Sequence, residues 1–292
     1  MILITGATGT VGSEVVKAVR ERGARVRAFV RDPDKAREQL GGGVELAIGD
    51  FADPPSVRAA LDGADEVFLS CADDPRRVEW ETSAIEAAAA AGVRRIVKLS
   101  AATAELGSPV AFWDWHARVE QHLSESEIAS VILRPSWYMS NLLASSPQVS
   151  GEGRLYAPAG EARIAMIHPR DVAAAAAAVL TTEGHDGRTY VLTGPEAITF
   201  ARVAAELSAA TGSEVEFVHV PDEGARQAMV QGGLSDFVAE QIVTSFALLR
   251  QGVAKQVTGT VESLTGTPAR DVGAFARDHA CLFASARVAA GR

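Results

Sequence analysis

A glycine-rich turn near the amino terminus constrains the fold of this chain more than any other feature. The segment ITGATGTVG, from Ile4 to Gly12, joins an apolar run at residues 1–4 to a helical pattern at residues 13–22. This order predicts a buried strand, a tight turn and a helix. Such a turn lets the backbone approach a pyrophosphate, and the helix N-terminus offers free N–H donors. The predicted cofactor contacts in this turn are Gly6, Thr8, Gly9, Thr10, Val11 and Gly12.

The first half of the chain alternates apolar runs with helical patterns. Further strands are predicted over residues 25–30, 44–48, 66–70, 95–100 and 130–133. Helices are predicted between them, over residues 32–40, 56–61, 80–91 and 117–126. Strands separated by helices form right-handed βαβ units and a parallel sheet. We therefore predict an α/β fold, a Rossmann doubly wound parallel sheet that binds its ligand outside the carboxyl ends of the strands.

The regular alternation ends at Pro135. Residues 136–162 are rich in Gly, Pro and Ser, short strands are predicted over 164–167, 189–192 and 214–220, and the remainder is mostly helical. The alanine run at residues 173–178 is interpreted as a packed helix capped by Asp171. We predict a Rossmann core over residues 1–135 and a smaller C-terminal substrate lobe over residues 136–292. About residues 164–193 are expected to return to the core.

Composition and charge argue against several kinds of partner. A net charge of −9 disfavours nucleic acid, whose phosphates demand a basic face. The longest apolar stretch, residues 172–180, is too short to span a bilayer. The two cysteines, Cys71 and Cys281, are far apart and lack metal-ligand spacing, which is typical of a reducing compartment. With no signal-peptide pattern, these features predict a cytoplasmic protein without a metal site, either a monomer or a homodimer.

The end of the second predicted strand distinguishes NAD from NADP(H). An acidic residue there binds the ribose 2′-hydroxyl of NAD, whereas Arg accommodates the 2′-phosphate of NADP. Arg31 follows this strand and Lys35 lies about one helical turn further on, while Asp32 is predicted to cap the next helix. NADP(H) is the predicted cofactor; the alternative is that both basic residues are solvated surface charges. The other predicted cofactor contacts follow later strands: Asp50, Phe51, Ser70, Cys71, Ala72, Ser100 and Ala101. Cys71 is interpreted as a small buried residue rather than a reactive one.

Several segments carry a resemblance to a known family: ITGATGTVG, VRDPDKA, GDFADPPSVRAAL, GVRRIVKLSA, ILRPSWYMSNL and HPRDVAAAA. The chain resembles the NmrA-like branch of the short-chain dehydrogenase/reductase superfamily over essentially its whole length, and these segments carry the resemblance. Within that branch it is similar to bacterial NADPH-dependent triphenylmethane reductases and quinone oxidoreductases. The resemblance implies a Rossmann core, NADP(H) binding and a C-terminal substrate lobe. Because one fold hosts many activities, the chemistry has to be argued from the site.

The chain departs from the larger superfamily at its usual proton-delivering pair. Most enzymes of that superfamily use a Tyr followed four residues later by Lys, whereas Leu142, Gly160 and Gly194 follow the three tyrosines here. Ordinary carbonyl–alcohol interconversion by that route is therefore not expected. An epimerase or dehydratase of the extended type, a third hypothesis for the function, usually requires the same tyrosine.

The corresponding region contains His116 and, four residues later, Glu120, which the spacing places on one face of a helix. The resemblance implies that His-x-x-x-Glu is shared with the quinone and triphenylmethane reductases. Histidine can donate a proton near neutral pH, so the predicted catalytic residues are His116, Glu120 and Ser100, which ends the fifth strand. Two alternatives stay open for His116: it holds a quinone oxygen or the nicotinamide amide, or it is a structural residue with Glu120 as its partner.

Flat aromatic and polar side chains near the same strand ends are predicted to bind the substrate. These residues are Trp113, Trp115, His116, Trp137, Tyr138 and Asn141; packing between lobe and core is the alternative for the aromatic ones. The leading hypothesis is an NADPH-dependent reductase that transfers hydride to a quinone-like or other conjugated aromatic small molecule. The alternative is a non-catalytic NADP(H)-binding redox sensor of the NmrA type that acts through a protein partner.

Overall fold

The amino-terminal half alternates strands and helices in a computed structural model, which describes residues 1–284. Residues 285–292 of the predicted second lobe lie outside the described residues. The elements are β1 (Ile2–Ile4), α1 (Gly12–Glu21), β2 (Val26–Val30), α2 (Pro33–Leu40), β3 (Glu45–Ile48), α3 (Pro54–Leu61), β4 (Glu66–Leu69), α4 (Arg77–Ala90), β5 (Arg95–Leu99), α5 (Ala111–Glu125) and β6 (Ala129–Pro135).

The carboxyl-terminal half contains more helix than strand. Its elements are a 3₁₀ helix (Met139–Ser145), α6 (Ser146–Glu152), β7 (Arg154–Ala157), α7 (Pro169–Thr181), β8 (Thr189–Leu192), α8 (Phe200–Thr211), β9 (Glu216–His219), α9 (Asp222–Gln231), α10 (Asp236–Arg250), α11 (Thr260–Thr265), α12 (Val272–Asp278) and α13 (Ala280–Phe283).

Seven strands form one parallel sheet in the order β3-β2-β1-β4-β5-β6-β8. Leu3 of β1 pairs with Arg27 of β2 on one side and with Val67 of β4 on the other, so the strand order reverses at β1. This is the doubly wound order with one added strand, β8, and a dinucleotide binds in the crevice where such an order reverses. The predicted Rossmann fold is therefore confirmed.

Helices cover both faces of the sheet because its central strands are apolar on both sides. Every residue of β1, β4 and β5 is buried. Helices α1 and α7 pack on one face in a core that includes Val15, Val97 and Ala176. Helices α3, α4 and α5 pack on the other face, where Leu61, Ile85 and similar residues are buried. The ends of the strands are left free to present side chains.

A second hydrophobic core organises the carboxyl-terminal lobe. Its buried residues, among them Leu155, Phe200 and Phe275, come from the 3₁₀ helix, α6, β7, α8, α10, α12, α13 and the loops between them. Strands β7 and β9 form a small parallel sheet beside it. In contrast, α7, β8 and α11 pack with the Rossmann core, so the chain returns to the sheet before it completes the lobe.

The strand predicted over residues 164–167 is wrong. Ile164 forms an isolated bridge with Ile198, and Ile167 forms another with Tyr138. The segment runs between the sheet and the lobe, and its two ends pair with different neighbours, so no continuous ladder forms. Strand β7, which the sequence analysis did not predict, lies before it in the chain and pairs with β9, which forms within the strand predicted over 214–220.

The predicted cap of the alanine-rich helix is also wrong. His168, rather than Asp171, is the N-cap of α7, and its Nδ1 accepts the Arg170 N–H at 3.1 Å. Proline favours the first helical position, so Pro169 places the cap one residue before it. Asp171 lies in the first turn, where it accepts the Arg270 N–H at 2.7 Å and binds the Arg270 guanidinium.

Helix α5 begins at Ala111, earlier than the predicted start at residue 117. Asp114 in its first turn accepts the Gly107 N–H at 2.8 Å and thereby holds the preceding loop against the helix. This boundary places Phe112, Trp113 and Trp115 on the first turns of a helix that starts at the carboxyl edge of the sheet.

Candidate functional site

The glycine loop after β1 is folded so tightly that Gly12 excludes a side chain and Gly6 disfavours one. Gly6 has a φ of +61°, and the Gly9 N–H donates to the Gly6 carbonyl at 2.9 Å. A Cβ on Gly12 would lie 2.1 Å from the Gly6 oxygen, and a Cβ on Gly6 would lie 3.1 Å from the Ser70 oxygen. The loop therefore places main-chain atoms, without side chains, next to the carboxyl ends of β1 and β4.

The N-terminus of α1 is available to an anion. Its N-cap, Val11, provides no side-chain acceptor, and of the first N–H groups that of Ser13 donates to the Gly9 carbonyl at 3.0 Å, so a ligand would bind the neighbouring ones. Ser13 Oγ donates to the Gly9 carbonyl at 2.9 Å, and the Gln39 amide donates to the Thr8 carbonyl at 3.1 Å. These two hydrogen bonds hold the loop from α1 and from α2. These features fit a dinucleotide pyrophosphate, as the glycine pattern predicted.

The end of β2 carries a helix-capping residue and an exposed cation. Asp32 Oδ1 accepts the N–H groups of Asp34 and Lys35, both at 3.0 Å, so its predicted role as a helix cap is confirmed. The Arg31 side chain is 79% exposed, and its Nε lies 3.9 Å from Asp50 Oδ2, which makes a long ion pair. With Asp32 occupied, an exposed Arg31 can reach a 2′-phosphate at this edge.

The residues after β3 and β4 shape the rest of the predicted cofactor cleft. Phe51 packs edge-on against Phe29 at 5.7 Å between ring centroids, and Asp50 Oδ1 accepts the Ala52 N–H at 2.8 Å. Thr5 Oγ1 accepts the Ser70 N–H at 2.8 Å and ties the end of β1 to that of β4. Ala72 is exposed beyond this point.

Cys71 has the properties of an unreactive thiol. Burial, together with the nearby Glu81 carboxylate, raises its pKa to about 12, so the thiolate is disfavoured. Cys281 is exposed and lies far along the chain in α13. Within residues 1–284, no group of three His, Cys, Asp or Glu side chains is arranged to hold a metal ion. None of the helices in that range is long and apolar enough to cross a membrane.

Glu120 binds partners other than His116. It accepts a hydrogen bond from Ser100 Oγ and two from the Arg134 guanidinium, the Nε contact measuring 3.0 Å. The alternative in which Glu120 is the structural partner of His116 is therefore wrong. Their spacing does place both residues on one side of α5, but Glu120 lies against β6, where Arg134 competes for its carboxylate.

His116 is almost completely buried, and its Nδ1 has no hydrogen-bond partner among the described residues. Burial lowers the pKa of the imidazole well below its usual value, and the charges of Arg77, Lys98 and Arg134 lower it further. His116 is therefore neutral near neutral pH. This favours the alternative in which it forms a hydrogen bond over proton donation by an imidazolium.

A buried cluster of charged residues lies on α4 and β5. Lys98 is fully buried and donates to Glu81 Oε1 at 2.9 Å; Glu81 also accepts from Arg77 Nε at 3.2 Å. Arg77 in turn donates to Asp73 Oδ1 at 2.6 Å. The sequence analysis did not identify these residues. The available signals in the sequence were a lysine within an apolar strand and, on the preceding helix, an Arg and a Glu spaced four residues apart.

Two further buried polar atoms without partners follow β6. The Tyr138 hydroxyl and Ser136 Oγ form no hydrogen bond among the described residues. Burial raises the pKa of Tyr138, so the hydroxyl keeps its proton and can donate to a ligand. Together with His116 Nδ1, these atoms lie on elements that meet at the carboxyl edge of the sheet, where the sequence placed the substrate.

The predicted aromatic substrate residues separate into two environments. Trp115 stacks on Phe237 of α10 with centroids 6.1 Å apart, and Phe237 is 45% exposed. Trp137 instead packs edge-on against Phe200 at 5.7 Å and belongs to the lobe core. Trp113 is half-buried on α5, and Asn141 is exposed on the 3₁₀ helix. Phe237 was missed because its position depends on how α10 packs against α5.

Comparison with known proteins gives matches along most of the chain. The NmrA-like family matches residues 1–268. An NAD(P)H azoreductase of Xenophilus azovorans is 39% identical over 286 residues, which cover 98% of this chain and 100% of the azoreductase.

Two solved structures share the fold closely. An NADPH-dependent quinone oxidoreductase of Escherichia coli, complexed with NADPH, has a TM-score of 0.87 at 32% identity and covers 95% of this chain and 99% of its own. A Citrobacter sp. triphenylmethane reductase complexed with NADP(H) has a TM-score of 0.83 at 26% identity, with coverage of 96% and 99%. These matches confirm the resemblance that the sequence motifs indicated. The chain belongs to the NmrA-like family.

Proposed function

We propose that this protein is an NADPH-dependent reductase that transfers hydride to a quinone-like or other conjugated aromatic acceptor. At the coarser level the chain is an NAD(P)H-dependent oxidoreductase, as its relatives are. The finer proposal draws on the azo and quinone reductases among those relatives and on the half-buried aromatic side chains at the carboxyl edge of the sheet.

The single observation that carries the proposal is the glycine loop. It excludes a Cβ at Gly12, leaves the N-terminus of α1 uncapped and lies beside an exposed Arg31. A pyrophosphate would lie on the loop and a 2′-phosphate near Arg31, with Lys35 one turn further on. This arrangement supports NADPH over NADH because Asp32, the acidic residue directly after Arg31, is occupied as a helix cap.

When bound, NADPH supplies a hydride and leaves as NADP⁺. The acceptor forms a new bond to that hydride, and the electron pair of its broken π bond becomes a negative charge on the conjugated oxygen or nitrogen. A neutral His116 and the protonated Tyr138 hydroxyl would hold that atom by hydrogen bonds, and water would provide the final proton. Catalysis would then depend on the positioning of cofactor and acceptor and on electrostatic stabilisation of the charge that develops on the acceptor.

Stopped-flow or steady-state loss of NADPH absorbance with benzoquinones, naphthoquinones and azo dyes tests the proposal. We expect turnover by the wild type, and a roughly 10²- to 10³-fold lower kcat in His116→Ala, the size of effect that follows the loss of one hydrogen-bond donor to a developing anion. His122→Ala is the matched control, since His122 lies on the same helix but in a more exposed position. Tight NADPH binding without oxidation of NADPH by any acceptor would contradict the proposal and favour the redox-sensor alternative.

A further inference from the structure

Three aromatic rings contact one another where α10 of the carboxyl-terminal lobe meets the first turns of α5. Phe237 stacks on Trp115 with centroids 6.1 Å apart and an interplanar angle of 25°. Phe112 lies edge-on to both rings, at 5.4 Å from Trp115 and 6.3 Å from Phe237. The buried Gln241 side chain of α10 accepts a hydrogen bond from the Ala111 N–H, which fixes this end of α10 on α5. We call Phe112, Trp115 and Phe237 the aromatic cluster.

The aromatic cluster lies one helical turn beyond His116. Phe112 and His116 are four residues apart in α5, so they share one face of the helix and are separated by about 6 Å along its axis. Helix α5 connects β5 to its parallel neighbour β6, so it runs back from the carboxyl edge of the sheet and its first turn lies farther out than His116. His116 Nδ1 is a buried atom without a hydrogen-bond partner among the described residues. The aromatic cluster therefore lies on the outer side of this unpartnered nitrogen.

The other end of α10 reaches the segment that follows β6. Phe246 lies about 14 Å further along the helix than Phe237 and packs against Trp137 with centroids 6.5 Å apart. Trp137 is located between Ser136 and Tyr138, whose hydroxyl groups are buried without partners among the described residues. Helix α10 therefore contacts both elements that carry the free hydrogen-bonding groups, and it forms a wall on the lobe side of the candidate site.

Packing leaves much of the Phe237 ring free. Phe237 is 45% exposed, and two other large apolar side chains of this region are exposed as well: Leu234, three residues before it, and Leu106, in the loop that Asp114 holds against α5. Single exposed apolar residues are ordinary, whereas several in one region are typical of a binding surface. An aromatic ring gains from stacking on another ring in addition to the area that it buries. The exposed part of Phe237 is therefore suited to an aromatic ligand.

We propose that Phe237 determines which acceptors the site prefers, because it stacks on a second aromatic ring of the acceptor while Trp115 and Phe112 hold it in place. An acceptor whose reducible group binds His116 would extend along α5 towards the aromatic cluster. The separation of about 6 Å along the helix is comparable to the length of one further ring. The substrate class is thus a conjugated acceptor with at least two rings, one that is reduced and one that stacks on Phe237. This inference rests on the proposed reductase function.

Two acceptors that differ by one ring test the proposal. Tetramethylbenzoquinone has a single ring, and trimethylphenylbenzoquinone carries a phenyl group in place of one methyl group. The quinone ring of both is fully substituted, which protects the exposed Cys281 thiol from addition to it. Steady-state loss of NADPH absorbance gives kcat and KM for each quinone. The ratio of the two kcat/KM values is independent of the amount of active protein.

Phe237→Ala removes the proposed stacking ring. We expect kcat/KM for trimethylphenylbenzoquinone to fall about 10-fold, the size of one aromatic contact and equivalent to about 1.4 kcal/mol. The fall should come mainly from a higher KM, because the ring contributes to binding rather than to hydride transfer. The kcat/KM for tetramethylbenzoquinone and the Kd for NADPH should be unchanged, since neither ligand would contact Phe237.

Two further variants at the same position separate the ring from the fold. Phe237→Tyr keeps the ring and should preserve the wild-type ratio of the two kcat/KM values. Phe237→Leu keeps an apolar side chain on α10 but loses the ring, so it should lower that ratio even if the alanine variant does not fold.

Val253→Ala is the matched control. Val253 follows the carboxyl-terminal end of α10, opposite to Phe237, and is 47% exposed. Its truncation removes part of a comparably exposed apolar side chain away from the aromatic cluster. Both kcat/KM values and the melting temperature should equal those of the wild type.

An equal fall for both quinones in Phe237→Ala, or no fall for either, would overturn the inference. Light scattering tests a different occupant of this surface, a second copy of the chain. A wild-type dimer that becomes a monomer in Phe237→Ala, with an unchanged ratio of kcat/KM values, would show that the aromatic cluster binds that copy and that the inference is wrong.

Failure of the wild type to oxidise NADPH with any acceptor contradicts the proposed function instead. In that case calorimetric titration of trimethylphenylbenzoquinone into the NADP⁺-loaded protein still decides whether Phe237 binds an aromatic ring, because the measurement needs no turnover. We expect an affinity about 10-fold lower in Phe237→Ala than in Val253→Ala. Equal affinities in these two variants would overturn the inference.

Discussion

Replacing Gly12 with alanine tests whether the glycine loop binds the cofactor as its geometry indicates. The new Cβ would lie 2.1 Å from the Gly6 oxygen and 2.7 Å from the Gly6 carbonyl carbon. The first distance is about 1 Å shorter than the 3.0 Å below which real Cβ contacts essentially never occur. Both contacts are with backbone atoms, so no side-chain rotation relieves them, and either the loop or the start of α1 must move.

The size of the effect follows from the hydrogen bonds that such a movement misaligns. A hydrogen bond to a charged group contributes about 1.5–3 kcal/mol, and a displacement of about 1 Å would weaken at least two N–H contacts to a pyrophosphate. The expected loss is roughly 3–6 kcal/mol, equivalent to a 10²- to 10⁴-fold higher Kd for NADPH. Isothermal titration calorimetry with NADPH and NADP⁺ measures this directly.

A second glycine provides the control for Gly12→Ala. Gly224 lies in α9, where an added Cβ meets no atom within 4 Å, so Gly224→Ala should keep NADPH affinity and raise helix stability by about 1 kcal/mol. Wild-type affinity in a folded Gly12→Ala variant would refute the assignment of this loop as the pyrophosphate site. General unfolding is detected separately, by the circular dichroism of the ligand-free variant.

Other changes address the cofactor preference, a helix cap and a free hydroxyl. Arg31→Ala should lower the NADPH/NADH ratio of kcat/KM about 10-fold, since roughly 1.4 kcal/mol of charge-assisted binding is lost; an unchanged ratio would show that Arg31 is only a surface charge. Burial lowers the pKa of His168 to about 4 from 6.5, so between these values the unfolded chain binds more protons and stability falls as pH falls. Urea unfolding at pH 7, 5.5 and 4 should show this loss, and His168→Asn, which keeps a capping acceptor, should make it smaller, while the other histidines of lowered pKa, such as His116, keep their share. Tyr138→Phe should leave the melting temperature of the ligand-free protein equal or higher, because the hydroxyl has no partner. The KM for a quinone should rise several-fold. A clear loss of stability would instead show that the hydroxyl has a structural role.

The sheet was largely predictable because its signals are local. Buried strands such as β4 and β5 are short apolar runs between helical patterns, and each pairs with neighbours that the βαβ rules already imply. The start of α5 was not predictable, since Val110 offers no capping side chain and the stabilising contact comes from Asp114 inside the helix. Strand β7 was missed because its partner, β9, lies about sixty residues further on.

The same distinction applies to the residues of the candidate site. Some could be predicted from neighbouring sequence, and others make contacts that depend on residues distant in the chain. Asp32 and Arg31 could be interpreted from the sequence because a cap acts on the next two or three residues. The partners of Glu120 could not be interpreted from the sequence, because Arg134 and Ser100 contact Glu120 only when α5 packs against β5 and β6. Helical spacing places residues on one face of a helix but leaves open which of them finds a better partner.

The unpartnered polar atoms indicate how the site can work without the usual pair. Native proteins satisfy nearly all their buried polar groups, yet among the described residues His116 Nδ1, Ser136 Oγ and the Tyr138 hydroxyl form no hydrogen bond. All three lie on α5 or directly after β6, where a ligand of the sheet binds. Two of them belong to groups that burial keeps uncharged, the His116 imidazole and the Tyr138 hydroxyl. Under the proposed function, these groups would hold by hydrogen bonds an acceptor that gains negative charge, and water would provide the final proton in place of a Tyr-Lys pair.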